Sequence, residues 1–163
     1  MTRKELMQMM PANGDDLSAA ERIVEIGYPA VTPVVRDMVN WMRLAESPVA
    51  DTFAAFFGRL GLSAVDAICK GLMRDNSCVR HRILTQILPQ WSPDAVRKLT
   101  NTLTMIATQP DAYDNDILSM EVLARHRLAD LEWLGQWLTF KKEQWAVRND
   151  LLVRAEEILK NVQ

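Results

Sequence analysis

The sequence predicts an all-α protein, a stack of antiparallel helical hairpins, and three observations predict it. The first is a recurring start signal: Asp16, Thr32, Ser47, Ser63, Ser77 and Ser92 precede apolar, helix-periodic runs at intervals of 16, 15, 16, 14 and 15 residues. Side chains of this kind accept a hydrogen bond from a backbone N–H that the first helical turn leaves unpaired. The second is the proline that follows three of them, at Pro33, Pro48 and Pro93. At the first helical position proline sacrifices no donor and its φ is already set. The third is the lack of the apolar–polar alternation that a half-buried strand needs. A unit of this length is one helix with its turn, so two make a hairpin of about 30 residues, near the period at which helical repeats stack into solenoids.

After a short N-terminal segment, the first helix is expected from Asp16 to Ile26, stopped by Gly27 with Pro29 beyond it. The second, Pro33 to Ala45, gathers Val34, Val35, Met38, Val39, Trp41 and Met42 on one face and leaves Arg36, Asp37, Asn40 and Arg43 outside. The third, Pro48 to Leu60, is apolar nearly all round, with a polar strip of only Asp51, Thr52 and Arg59. Such a helix needs neighbours on several sides and belongs at the centre of the stack. The fourth starts at Ser63, with Asp66 three residues on, and closes near Arg74. The fifth runs from Ser77 to Leu88, turns Val79, Ile83, Leu84, Ile87 and Leu88 inward, and ends at Pro89. The sixth, Pro93 to Thr108, spaces Val96, Leu99, Leu103 and Ile106 helically and ends at Pro110.

Beyond the polar turn from Gln109 to Asp116 a seventh helix is expected at or near Asp116, and no proline follows it. Asp130, Gly135 and Asn149-Asp150 are the candidate breaks of two or three C-terminal helices, the last carrying Leu151, Leu152, Ala155, Ile158 and Leu159 as an apolar stripe. The expectation is one helical-repeat domain over residues 1–163, a repeat-like core at 15–109 and capping helices at 116–163.

With 163 residues the chain can bury roughly 70% of its unfolded surface in one core. A net charge of −2 gives no global attraction to nucleic acid or anionic lipid. The basic residues are spread through every helix among as many acids, without the one-sided patch that nucleic-acid binding uses. Nowhere do 18 apolar residues run together, and Met1 to Glu5 open no apolar leader. No membrane partner is expected, and the placement is cytoplasmic. Cys69 and Cys78 lie in or beside apolar runs and read as free, reduced thiols.

The search for chemistry is negative. There is no glycine-rich phosphate loop, nucleophile elbow or paired CxxC knuckle. His81 and His126 each stand in an Arg-His-Arg triplet. The flanking cations lower an imidazole pKa, but no adjacent carboxylate orients either ring, so they read as helix-edge or core-rim residues. Cys69, Cys78 and His81 lack a fourth ligand for zinc, and Asp111, Asp114, Asp116 and Glu121 lack the glycine and the alternation of a calcium loop. No catalytic residue, cofactor or metal is expected.

Surface character points instead to a protein partner. In stacked hairpins the second helices line the concave side, which places Arg36, Asp37, Asn40 and Arg43, then Lys70 and Arg74, then Arg97 and Asn101 together. No basic residue occurs between Lys98 and Arg125, so Asp111, Asp114 and Asp116 form an acidic turn with Tyr113 at its tip. That turn is expected to rim the groove and draw in a basic surface. Trp41 and Trp91 read as wedges between helices, and Trp133, Trp137 and Phe140 as the lid of a core.

Tyr28 to Val35, Asn40-Trp41-Met42 and Ser47 to Ala50 resemble the opening of an uncharacterised family of short bacterial HEAT-like proteins. Val79 to Leu84 and Ile87-Leu88-Pro89 fall where the family's next helix would lie. The resemblance covers about residues 15 to 116 and departs at Ser47, where members tend to carry tryptophan. Members often resemble immunity proteins of bacterial toxin systems. The resemblance therefore implies a HEAT-like right-handed α-solenoid, without enzymatic activity, that binds and neutralises a cognate toxin or effector; the alternative is a scaffold or assembly adaptor.

Overall fold

The computed structural model describes residues 1–161 apart from Asp75 and Ala112; from Leu151 onward, Arg154 is the one residue whose side chain is described. The expected stripe of Leu151, Leu152, Ala155, Ile158 and Leu159 lies outside those side chains. The protein is all-helical, with 74% helix and no strand among the described residues. Its contacts divide it into two compact units, Met1–Leu128 and Ala129–Gln163.

Three of the six start signals cap helices as read. Asp16 Oδ1 accepts from the Ala19 N–H at the head of α2 (Leu17–Ile26), which Gly27 ends at φ +74°. Ser47 Oγ accepts from Ala50 N–H ahead of α4 (Pro48–Leu60), and also donates to the Gly14 carbonyl at 2.7 Å. Ser92 does the same for α7 (Pro93–Arg97).

The other three signals do not cap the helices read from them. Thr32 turns its hydroxyl back onto the Pro29 carbonyl at 2.5 Å, so the chain passes through a 3-10 turn, Thr32–Val34, before α3 (Val35–Trp41), which stops short of Ala45. Ser63 lies within another 3-10 turn, Gly61–Ala64, and caps nothing; α5 follows at Val65–Leu72. At α6 (Ser77–Arg82) the cap is Asn76, whose Oδ1 accepts from Val79 N–H at 3.0 Å. Ser77 is thereby free to donate to Asp111 Oδ2 at 3.0 Å. Beyond α6 the chain widens into a π turn, Ile83–Ile87, and closes with a 3-10 turn, Leu88–Gln90, that contains Pro89.

The expected sixth helix is two, α7 and α8 (Thr100–Ala107). Thr100 donates its hydroxyl to the Arg97 carbonyl at 2.7 Å and competes with the helical ladder there. The N-terminal segment forms a helix that the sequence reading missed, α1 (Arg3–Met9), closed by a capping box in which Thr2 N–H donates to Glu5 Oε2 at 2.7 Å. Bonds from the Thr2 backbone and side chain hold the Glu5 carboxyl below its usual range. Helix α9 (Asn115–Arg125) follows Asp114, which sits at φ +55°.

Within the first unit α2, α4, the α6–π segment and α9 pack side by side, while α3 lies against α5. The long-range polar contacts span 31 to 38 positions, and six of them cluster at one offset. Arg3–Asp37, Gly14–Ser47, Asn40–Arg74, Phe57–Trp91, Cys69–Thr102 and Ser77–Asp111 join residues 33 or 34 positions apart. The core is centred on α4, with Val49, Ala50, Phe53 and Phe57 fully enclosed. Trp91 is the inter-helix wedge expected of it, buried and donating Nε1–H to the Phe57 carbonyl at 3.0 Å. By length and composition the run Pro48–Leu72 could cross a bilayer; it comprises α4, the turn after it and α5.

The second unit is one helix, α10 (Leu131–Asn161). Asp130 does mark its start, its Oδ1 accepting from the Glu132 and Trp133 N–H groups. Gly135 and Asn149-Asp150 do not break it; a single interior glycine costs a helix only about 1 kcal/mol. Trp133, Trp137 and Phe140 form a run of ring contacts at 6.3 and 5.6 Å, while Phe140, Trp145 and Val147 are exposed.

Candidate functional site

A concavity lies between α3 and α5. Gly71 allows their approach, since a Cβ there would stand 3.1 Å from Val39 Cγ1 and 3.0 Å from Ile83 Cδ1. The groove measures about 570 Å³. Val35, Val39 and Ala67 give it an apolar lining, and Arg36, Lys70 and Arg74 bring positive charge to it. Three of the expected partner-binding residues thus meet in one place. Arg74 donates to the Asn40 side-chain oxygen, and Lys70 pairs with Asp66 across one helical turn at 2.7 Å. Arg36 makes no ion pair among the described residues.

Asp37, Asn40 and Arg43 line a neighbouring hollow of about 330 Å³ with Met7, Met10 and Trp41. There Asp37 is engaged by Arg3 at 2.9 Å, a contact that depends on the overlooked α1. Tyr28, whose bond to Pro29 is cis, also lines the α3–α5 groove and is 43% exposed. In the sequence Pro29 reads as a helix stop and Tyr28 as part of the family resemblance, and neither marks Tyr28 as a groove residue.

The acidic turn does not rim that groove; it packs on α6. Asp111 points inward, its side chain 5% exposed, and accepts from Ser77 Oγ at 3.0 Å, Asn115 Nδ2 at 2.9 Å, Tyr113 N–H at 2.8 Å and Arg80 Nη1 at 3.4 Å. Asp116 is also buried, at 7% exposure. Tyr113 and Asp114 remain at the surface, the Tyr113 ring 6.1 Å from that of His81. A hydrogen bond to the Cys78 side chain, then charge coupling to that thiol, holds the Tyr113 phenol above its usual range. Half of the expected rim, Asp111 and Asp116, is therefore buried, and Asp111 fastens the loop.

That fastening has a pH signature. Burial raises the Asp111 pKa, but the bonds from Tyr113 N–H, Asn115, Ser77 and Arg80 together outweigh it and leave the carboxyl below its ordinary 3.8. Because the folded value lies below the unfolded one, the contribution is complete above the ordinary carboxylate range and is lost as pH falls through the folded value. Asp111→Asn should cost about 2 kcal/mol at pH 7, since bonds to a charged acceptor are lost. Urea unfolding at neutral pH and at pH below about 3 checks this, the gap between variant and wild type narrowing in acid.

The Arg-His-Arg triplet on α6 is structural. Arg80 donates Nε–H to the Leu72 carbonyl at 2.9 Å, and the buried Arg82 ties together the turn after α3, the head of α4 and its own helix. His81 Nδ1 is enclosed without a hydrogen-bond partner among the described residues. In the second triplet, partial burial and then the Arg125 charge push the His126 pKa down. Cys69 and Cys78 are free thiols. Among the described residues no three His, Cys, Asp or Glu side chains gather as a metal site would require. No protein-family model matches the chain, and no curated protein matches it either.

Proposed function

We propose that this is a non-enzymatic protein-binding module, a HEAT-like right-handed α-solenoid that acts in the bacterial cytoplasm as an immunity protein and neutralises a cognate toxin. The observation that carries the reading is a set of six cross-contacts at nearly one offset, within a wider range of 31 to 38. Residues 33 or 34 apart meet repeatedly along the first unit, from Arg3–Asp37 to Ser77–Asp111. One hairpin repeated against the next produces such an offset, and stacked repeats serve mainly as extended binding surfaces. The α3–α5 groove holds three of the expected contact residues, Arg36, Lys70 and Arg74, and the neighbouring hollow holds three more, Asp37, Asn40 and Arg43.

A second reading, the assembly adaptor, draws on α10, whose exposed Phe140, Trp145 and Val147 offer a separate apolar surface. Co-expression with the product of the neighbouring reading frame tests both. The immunity reading expects growth to be protected and a stable one-to-one complex by size exclusion. Unrelieved growth arrest with no complex would remove it, and a complex with two different proteins without protection would favour the adaptor.

A further inference from the structure

We infer that the α3–α5 groove receives an acidic segment of the protein partner, in which carboxylates flank one apolar side chain; the inference rests on the protein-binding reading above. The charge of the groove is opposite to that of the chain. Among the described lining residues Arg36, Lys70 and Arg74 face one carboxylate, Asp66, a surplus of two positive charges in a protein of net −2. The surplus is also available. Asp66 already serves Lys70, Arg74 donates to a neutral amide rather than a carboxylate, and Arg36 has no ion pair among the described residues. Guanidinium forks take carboxylates bidentately, so two such forks beside one cavity select an anionic surface.

The lining between those charges is apolar. Val35, Val39 and Ala67 border a space of about 570 Å³, large enough for a leucine or phenylalanine side chain with backbone around it. Half-exposed Tyr28 adds a contact surface that loses little entropy on binding. A purely ionic ligand would leave that lining in water. A basic surface, the partner expected from the acidic turn, would meet like charge here.

The probe is a hexapeptide with blocked ends, Glu-Glu-Leu-Phe-Glu-Glu, titrated into the full-length ¹⁵N-labelled protein, with a lysine-for-glutamate analogue as control. The expected result is chemical-shift change at the Val39, Ala67 and Gly71 amides with the acidic peptide alone. Binding should weaken several-fold between about 0.05 and 0.5 M salt, where screening shortens from more than 10 Å to a few ångströms. Arg36→Glu should weaken it at least about tenfold while leaving the melting temperature within about 1 °C, since Arg36 is exposed and has no ion pair among the described residues. Arg74→Glu should weaken binding comparably and reports on the second fork, with some loss of stability because Arg74 also donates to Asn40.

Silence at those three amides, an unchanged Arg36→Glu titration, or equal shifts from inorganic phosphate would each overturn the assignment. Growth protection and a complex alongside a silent groove would leave the immunity reading standing and place docking elsewhere. Peptide binding without protection would keep the groove and remove the toxin.

Discussion

Phe57→Ala is expected to lower the free energy of unfolding by about 3–5 kcal/mol, the range for truncating an aromatic side chain in a packed core. Phe57 is fully enclosed and packs edge-on against Phe56 at 5.6 Å. Relaxation into the gap is opposed from both sides. Its carbonyl is held by the Trp91 indole at 3.0 Å, and Phe53, one turn earlier on α4, is equally buried. Collapse around the missing ring would break that bond, so the cavity should persist. Urea unfolding measures the loss, and a thermal melt should show a fall of about 10 °C or more for a chain of this size. A loss below about 1 kcal/mol would mean that α4 is not the centre of the stack.

Arg82→Ala should cost about 3 kcal/mol, and for a different reason. One guanidinium, 6% exposed, donates to the Leu44 carbonyl at 2.8 Å, the Ala45 carbonyl at 2.7 Å, Gln86 Oε1 at 3.3 Å and the Asp51 carboxylate. The two carbonyls belong to the turn between α3 and α4. Without Arg82 both carbonyls lose a charged donor, and a hydrogen bond to a charged group is worth about 1.5–3 kcal/mol; Leu44 is half-buried and Ala45 exposed, so water replaces part of the loss. Asp51 is the control, because its side chain is 63% exposed and water replaces the guanidinium at once. Asp51→Asn should therefore cost under about 1 kcal/mol. Arg82→Lys should recover only part of the loss, since an ammonium cannot serve the acceptors of a planar fork. Chemical denaturation of the three variants side by side checks the order, and an Asp51→Asn effect as large as that of Arg82→Ala would contradict it.

Where a helix start needed only local chemistry, it was legible. Ser47 and Ser92 cap the residue three along, and each next residue is proline; no distant contact enters the argument. The same chemistry misled at Thr32 and Ser77, whose hydroxyls had better partners. Thr32 found the Pro29 carbonyl within its own turn, a competitor visible in sequence only as a loop. Ser77 found Asp111, 34 residues away, and left the cap to Asn76. Among the site residues, Arg36, Lys70 and Arg74 line one groove, while Asp37, Asn40 and Arg43, expected on the same surface, line another hollow, because periodicity fixes which face of a helix a residue takes but not which neighbour covers it. Asp111 and Asp116 were taken as surface acids because charge argues for solvent unless a partner is known.

Periodicity, caps and proline positions thus determined that the chain is all-helical, where α2, α4 and α9 lie within a few residues, and that α4 would be the core helix. Those features depend on neighbours three or four residues apart, the range over which sequence is itself a record of contact. Only the tertiary structure decided that Arg82 is a buried clamp, that the acidic loop is fastened to α6 by Asp111, and that α3 and α5 come close enough at Gly71 to leave a cationic groove beside them. Those depend on which residues meet across 30 or more positions, and whether a charge finds its partners there sets the difference between a solvated side chain and a structural one.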